Sequence, residues 1–195
     1  MVDTGGLVLF LAVMSGTPGP ANMLLLGAAT RYGARAAAGF LCGVVLGMQL
    51  VIWPAGLGLM ELAARMPTAF AALKWACTGY IVWLAWHIAG ARIDRAGGDA
   101  GASPGLARGL LVHPLNPKAW VIAAGAFTQF LPASASALGG TAIVAALTLI
   151  VGTIMQGLWF LGGGAVARAI AGRPHERWLM TALGFMTVAS VAWAL

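Results

Sequence analysis

The sequence predicts an all-α integral membrane protein with six transmembrane helices in two inverted three-helix repeats, helices one and four being broken by proline. Three observations predict it. Charged residues make up 8% of the 195-residue chain and hydrophobic types 61%, with a mean hydropathy of +0.90. A soluble domain carries about a quarter charged residues, so too few charges are present to coat a water-facing surface. The charges also cluster between long charge-free stretches. Finally, two Pro-rich interruptions fall at corresponding places in the two halves of the chain.

Each charge-free stretch matches the roughly 20 apolar residues that cross a hydrocarbon core. No charge occurs between Asp3 and Arg31, Arg35 and Glu61, Lys74 and Arg92, Lys118 and Arg168, or after Arg177. The Lys118–Arg168 gap is long enough for two passes, divided at Leu131-Pro132-Ala133-Ser134. Six spans follow, at about 5–30, 36–60, 69–91, 107–131, 138–166 and 177–195. The runs are too long for barrel strands and lack strict alternation, so they are helices. Asp3 stands where a signal peptide would carry a basic segment, so the first span is read as permanent.

The net charge of +6 does not indicate nucleic acid, because the basic residues form no stripe interleaved with aromatics. They follow a positive-inside pattern. Arg31, Arg35, Arg92, Arg95, Arg108, Arg168, Arg173 and Arg177 fall in odd-numbered loops, against Arg65 and Lys74 on the other side. The odd loops are therefore expected in the cytoplasm and both termini outside. Cys42 and Cys77 fall within spans and are expected to be small packing residues. No metal-ligand spacing and no cofactor motif occurs.

The chain forms one transmembrane domain, residues 1–195, with repeat halves at about 1–91 and 107–195 joined by a polar cytoplasmic loop at 92–106. The first span is interrupted by Thr17-Pro18-Gly19-Pro20-Ala21-Asn22 and the fourth by His113-Pro114-Leu115-Asn116-Pro117-Lys118. Pro20 and Pro117 are separated by half the chain length. Three spans per half is an odd number, so the halves run in opposite senses across the membrane. Proline stops one helix and starts another. The restarted half-helix presents unpaired N–H groups and a positive dipole end, so each break could hold a carboxylate. Asn116-Pro117 reads as an N-cap followed by a first helical residue. Paired broken helices in inverted halves point to a transporter's binding site.

The same motifs resemble the LysE/RhtB family of amino acid exporters. The resemblance covers essentially the whole chain. It rests on Pro18-Gly19-Pro20-Ala21-Asn22, on Arg31-Tyr32-Gly33-Ala34-Arg35 leading to Gly39 and Gly43, and on Leu73-Lys74-Trp75-Ala76. Gly79-Tyr80-Ile81-Val82-Trp83-Leu84 and Asn116-Pro117-Lys118 with Gln129-Phe130 complete it. The resemblance implies an exporter of small amino acids or related metabolites in the bacterial inner membrane, driven by protons. Cysteine, O-acetylserine, homoserine and threonine are the candidate substrates. The Tyr80–Ala89 stretch is most similar to the cysteine/O-acetylserine branch.

The expected substrate-binding residues are Pro18, Gly19, Pro20, Asn22, Asn116, Pro117, Lys118, Gln49 and Gln156. Lys118 is the sharpest candidate. A cation at membrane depth costs at least about 2.5–3.5 kcal/mol on insertion scales, and neutralising a substrate carboxylate would give it a purpose. The alternative is snorkelling to the cytoplasmic interface. Asn22 and Asn116 can satisfy freed backbone or touch substrate. Gln49 and Gln156, one per half, can bond between helices or contact substrate. Family members are expected to carry an acidic residue near Gln156, and here no carboxylate lies in mid-span. His87 and His113 remain as proton-coupling candidates.

Gly39, Gly43 and Gly47 form a small-residue ladder for close packing, inside the fold or at a homodimer contact. Trp75, Trp178 and Trp193 read as interfacial anchors, and Trp83, Trp120 and Trp159 as deeper packing residues. An intramembrane enzyme would need a nucleophile with a base or clustered metal ligands, and the three histidines are scattered. A passive channel would not need the paired breaks.

Overall fold

The computed structural model describes residues 2–59, 103–132 and 135–170, with isolated positions between 68 and 86 and between 173 and 186. The expected spans at 69–91 and 177–195, and the 92–106 loop up to residue 102, lie almost wholly outside these residues, as do Cys77, His87 and Trp193. The described helices are α1 (Thr4–Gly16), α2 (Pro20–Tyr32), α3 (Ala34–Pro54), α4 (Gly105–Leu110), α5 (Pro117–Phe130) and α6 (Ala137–Ile170). A π-helical turn at Ala55–Leu59 ends α3 after Pro54.

The protein is an all-α integral membrane protein. The α3 segment Ala34–Gly58 and the α6 segment Ala137–Val166 are each long and apolar enough to span a bilayer. So is the α1–α2 pair taken together, bent by 54° at its break. Large apolar side chains turn outward, including Leu9, Leu50, Leu138 and Leu161, all at least half exposed. Such a surface is at ease in lipid and not in water.

Span one breaks where Pro18 and Pro20 flank Gly19, and span four breaks over residues 111–116 before Asn116 caps α5. The Asn116 side chain accepts from the Lys118 backbone N–H at 3.1 Å, with Pro117 at the first helical position. The cap geometry is the one expected from the sequence.

Contacts along the helices fix their directions. α1 and α5 are antiparallel: the Asp3 N–H donates to the Phe130 carbonyl at one end, while Lys118 reaches Thr17 at the other. α3 and α4 run the same way, Gly39 facing Leu106 and Gly47 facing Leu110. The α1–α2 pair runs with α6, since Gly16 meets Trp159 and Thr30 meets Gly163. α3 and α6 are antiparallel, Gln49 bonding Ala145 and Gly56 abutting Thr141. Spans one and five therefore point one way, and spans two and four the other. The first two spans of each half are inverted copies in direction.

Two apolar clusters flank the level of the breaks. One gathers Leu24, Leu25, Ala28, Phe40, Val44 and Phe160. The other gathers Leu7, Leu11, Val51, Ile52, Ala126 and Val144. Between α3 and α4 the backbones touch. A methyl on Gly43 would stand 2.9 Å from the Gly109 Cα and overlap the Leu106 carbonyl. The glycine ladder thus packs inside the fold, and its Gly43 and Gly47 faces are consumed by α4.

Three sequence expectations change. Cys42 is exposed on the outer face of α3, one position before the buried Gly43, so it is not a core packing residue. Trp83 is also nearly half exposed, with the Arg108 guanidinium 5.3 Å above its ring. Arg31, placed in a loop by the sequence, is the penultimate residue of α2. It is buried against the Tyr32 ring at 4.4 Å. The loop itself is Gly33 alone, whose φ of 79° suits a residue without Cβ.

Candidate substrate site at the paired breaks

The end of α1 leaves carbonyls that the helix cannot satisfy itself. Side chains from three elements satisfy them. Thr17 Oγ1 donates to the Met14 carbonyl at 3.0 Å. Asn22 Nδ2 donates to the carbonyls of Ser15 at 2.7 Å and Thr17 at 2.9 Å. Trp159 Nε1, from α6, donates to the Gly16 carbonyl at 3.0 Å. Lys118 Nζ, from α5, donates to Thr17 Oγ1 at 2.8 Å and to the carbonyls of Thr17 and Pro18 at 3.1 and 3.3 Å. Every carbonyl from Met14 to Pro18 has a donor.

Lys118 therefore extends from one break into the other and not toward an interface. Gly19 makes the passage: a Cβ there would stand 3.1 Å from Nζ and 3.2 Å from Cδ of Lys118. Among the described residues the ammonium's partners are oxygens of neutral groups. The two half-helix starts are not equivalent. At α5, Pro117 has no N–H, and the N–H groups of Lys118 and Ala119 are both bonded to Asn116. At α2, Gly19 supplies no side-chain cap, so the first-turn N–H groups at Ala21 and Asn22 keep the character of an open helix N-terminus.

A small pocket of about 20 Å³ lies where the breaks meet, room for about one water molecule. Gly19, Asn22, Asn116 and Lys118 line it, together with His113 and Gln156. Met48, Ile122, Thr148 and Gly152 complete much of the rest. Of the sequence candidates, Gln49 stands apart. Its amide is used in a 3.2 Å bond to the Ala145 carbonyl, and it does not line this pocket. Gln156 and His113 are brought together, Nε2 to Nε2, at 2.7 Å. Trp120 bridges the second break by donating to the Pro114 carbonyl at 3.0 Å.

Sequence reasoning missed Thr17, Thr148 and Trp159 as site residues. Thr17 adjoins the first break and was legible there. Nothing local marks Thr148 or Trp159, because what each side chain faces, the pocket for Thr148 and the Gly16 carbonyl for Trp159, is set by other helices. Among the described residues no cluster of metal-ligating side chains occurs.

The family described as LysE type translocator matches residues 12–194. The cysteine/O-acetylserine efflux proteins of Escherichia coli (strain K12), Shigella flexneri serotype 5b (strain 8401) and Shigella sonnei (strain Ss046) are each 31% identical over 183 residues. Each alignment covers 88% of this chain and 87% of the relative. No solved structure gives a significant match. A family match over nearly the whole chain, on a fold of paired broken helices, settles its kind: the chain belongs to the LysE type translocator family, a membrane transporter and not an enzyme.

Proposed function

We propose that this protein exports a small amino acid, or a close derivative such as O-acetylserine, across the bacterial inner membrane. The observation that carries the proposal is Lys118. A membrane-depth ammonium held by neutral oxygens, beside the open N-terminus of α2, is a ready partner for a carboxylate. The substrate carboxylate takes Lys118 Nζ and the N–H groups of Ala21 and Asn22. Asn116 and Pro117 hold the α5 start, while Pro18, Gly19 and Pro20 shape the opposite wall.

The pocket is far too small for an amino acid with the breaks in contact. Loading therefore separates the two halves, which rock about the proline breaks to open one side at a time. The termini face the periplasm in this scheme, with the Arg-rich loops inside. The cysteine/O-acetylserine efflux relatives make cysteine and O-acetylserine the first substrates to try. Expression in a bacterium sensitised to amino acid excess should raise extracellular amino acid, and a protonophore should abolish the rise. No accumulation across a broad panel would sink the export reading, and accumulation indifferent to the protonophore would favour a passive channel.

Proton coupling in this reading runs through His113. With the Gln156 amide donating, the ring Nε2 accepts. Protonation of that nitrogen requires the amide to turn, so the charge on His113 is tied to the shape of the pocket. His113→Gln is expected to flatten the dependence of export on external pH. A profile unchanged from wild type would remove His113 as a proton carrier and leave His87 to be tested the same way.

A further inference from the structure

We infer that Thr148 and the His113–Gln156 pair form a subsite that reads the substrate's side chain, taking a short uncharged group that donates and accepts hydrogen bonds, a hydroxyl or a thiol. The inference rests on the export reading and adds residues that select among its substrates.

The signal is a set of buried polar atoms without partners. His113, Thr148 and Gln156 are each less than a tenth exposed. As the pair is oriented, Gln156 Nε2 donates to His113 Nε2, which places the ring proton on Nδ1. That Nδ1–H donor and the Gln156 Oε1 acceptor are both buried with no partner among the described residues, and so is Thr148 Oγ1. Leaving such an atom unmet is costly, and interiors satisfy nearly all of them.

Thr148 departs from its neighbours. Thr30, Thr128, Thr141 and Thr153 all donate to the carbonyl four residues back, at 2.6–2.7 Å. Thr148 had the same option on the same kind of helix and does not take it, and it is the one of these threonines that lines the pocket. It stands two turns before Gln156 on α6, about 12 Å along the axis. Gly152 lies between them, and nothing lies within 4 Å of the position its Cβ would occupy. Thr148, Gly152 and Gln156 thus line the same pocket as Lys118, with polar side chains on either side of a bare glycine.

A substituent that both donates and accepts can bond on either side, to Thr148 or to the pair. An aliphatic group of equal size leaves those atoms buried and unmet. Sites built to hydrogen-bond a substrate reject the analogue lacking that group far more strongly than an apolar pocket rejects an added hydroxyl.

The test compares matched pairs in proteoliposomes holding the full-length protein: serine against 2-aminobutyrate, and homoserine against norvaline. Reading the ratio of rates within one preparation cancels any difference in folded amount. Wild type should favour the hydroxylated member at least tenfold. Thr148→Val and Gln156→Leu should each cut that ratio at least fivefold by sparing the apolar analogue, and Thr148→Ser should restore it. A wild-type ratio near one, or variants that keep the wild-type ratio, would overturn the subsite while leaving export intact. Loss of both substrates in both variants also overturns it, since it assigns these residues to the fold. A wild type that moves no amino acid defeats the export reading itself.

Discussion

Lys118→Ala should lower export between about ten- and a hundredfold at matched membrane abundance. A hydrogen bond to a charged group contributes about 1.5–3 kcal/mol, and about 1.4 kcal/mol corresponds to a factor of ten. Nζ is the cationic donor among the residues lining the pocket. The variant also leaves the Pro18 carbonyl without its donor, while Thr17 keeps the Asn22 bond. The loss should therefore fall on transport more than on stability. Lys118→Arg discriminates further, because the planar guanidinium does not fit a passage in which the existing side chain already stands 3.1 Å from a Cβ position at Gly19. Export by Lys118→Ala at the wild-type rate would end the carboxylate role.

The second large effect is on the fold. Gly43→Ala and Gly109→Ala should each lower stability by at least about 1–3 kcal/mol, as overpacking does, and should deplete the protein from the membrane. Each added methyl meets backbone and not a yielding side chain. The Gly109 methyl would stand 2.9 Å from the Gly43 Cα and from the Val44 nitrogen. Gly157→Ala is the control, since nothing lies within 4 Å of its Cβ position. Thermal unfolding in detergent should show a depressed midpoint for the first two and none for the third. Equal midpoints for all three would mean that α3 and α4 are not in backbone contact.

Much of this was legible in the chain because the causes are local. Charge-free runs located the first, second and fifth spans, and proline with asparagine located both breaks and the α5 cap. Halving the chain placed the breaks in register. Other features depend on what lies across a helix interface, where sequence is silent. Gln49 and Gln156 look alike as mid-span amides, yet one bonds the Ala145 carbonyl and the other faces His113 in the pocket. Arg31 sits among loop charges in the sequence but is buried on Tyr32, because a one-residue turn at Gly33 carries helix almost to the junction. Cys42 and Gly43 are adjacent, and only helix rotation decides which meets lipid. The reach of Lys118 to Thr17 spans 101 positions in the chain, and no spacing rule announces it.

The tether between the two breaks bears on when such a protein works. For a carboxylate to take Lys118, it must displace three oxygens that belong to the protein and never diffuse away. Tethered competitors act at a fixed, high effective concentration, so the apparent affinity for free substrate falls by the fraction of time the ammonium is unoccupied. On the proposed reading, a carrier built this way would idle at ordinary metabolite levels and engage when the internal pool swells. Its expected behaviour is that of an overflow valve whose threshold is set by the strength of its own latch.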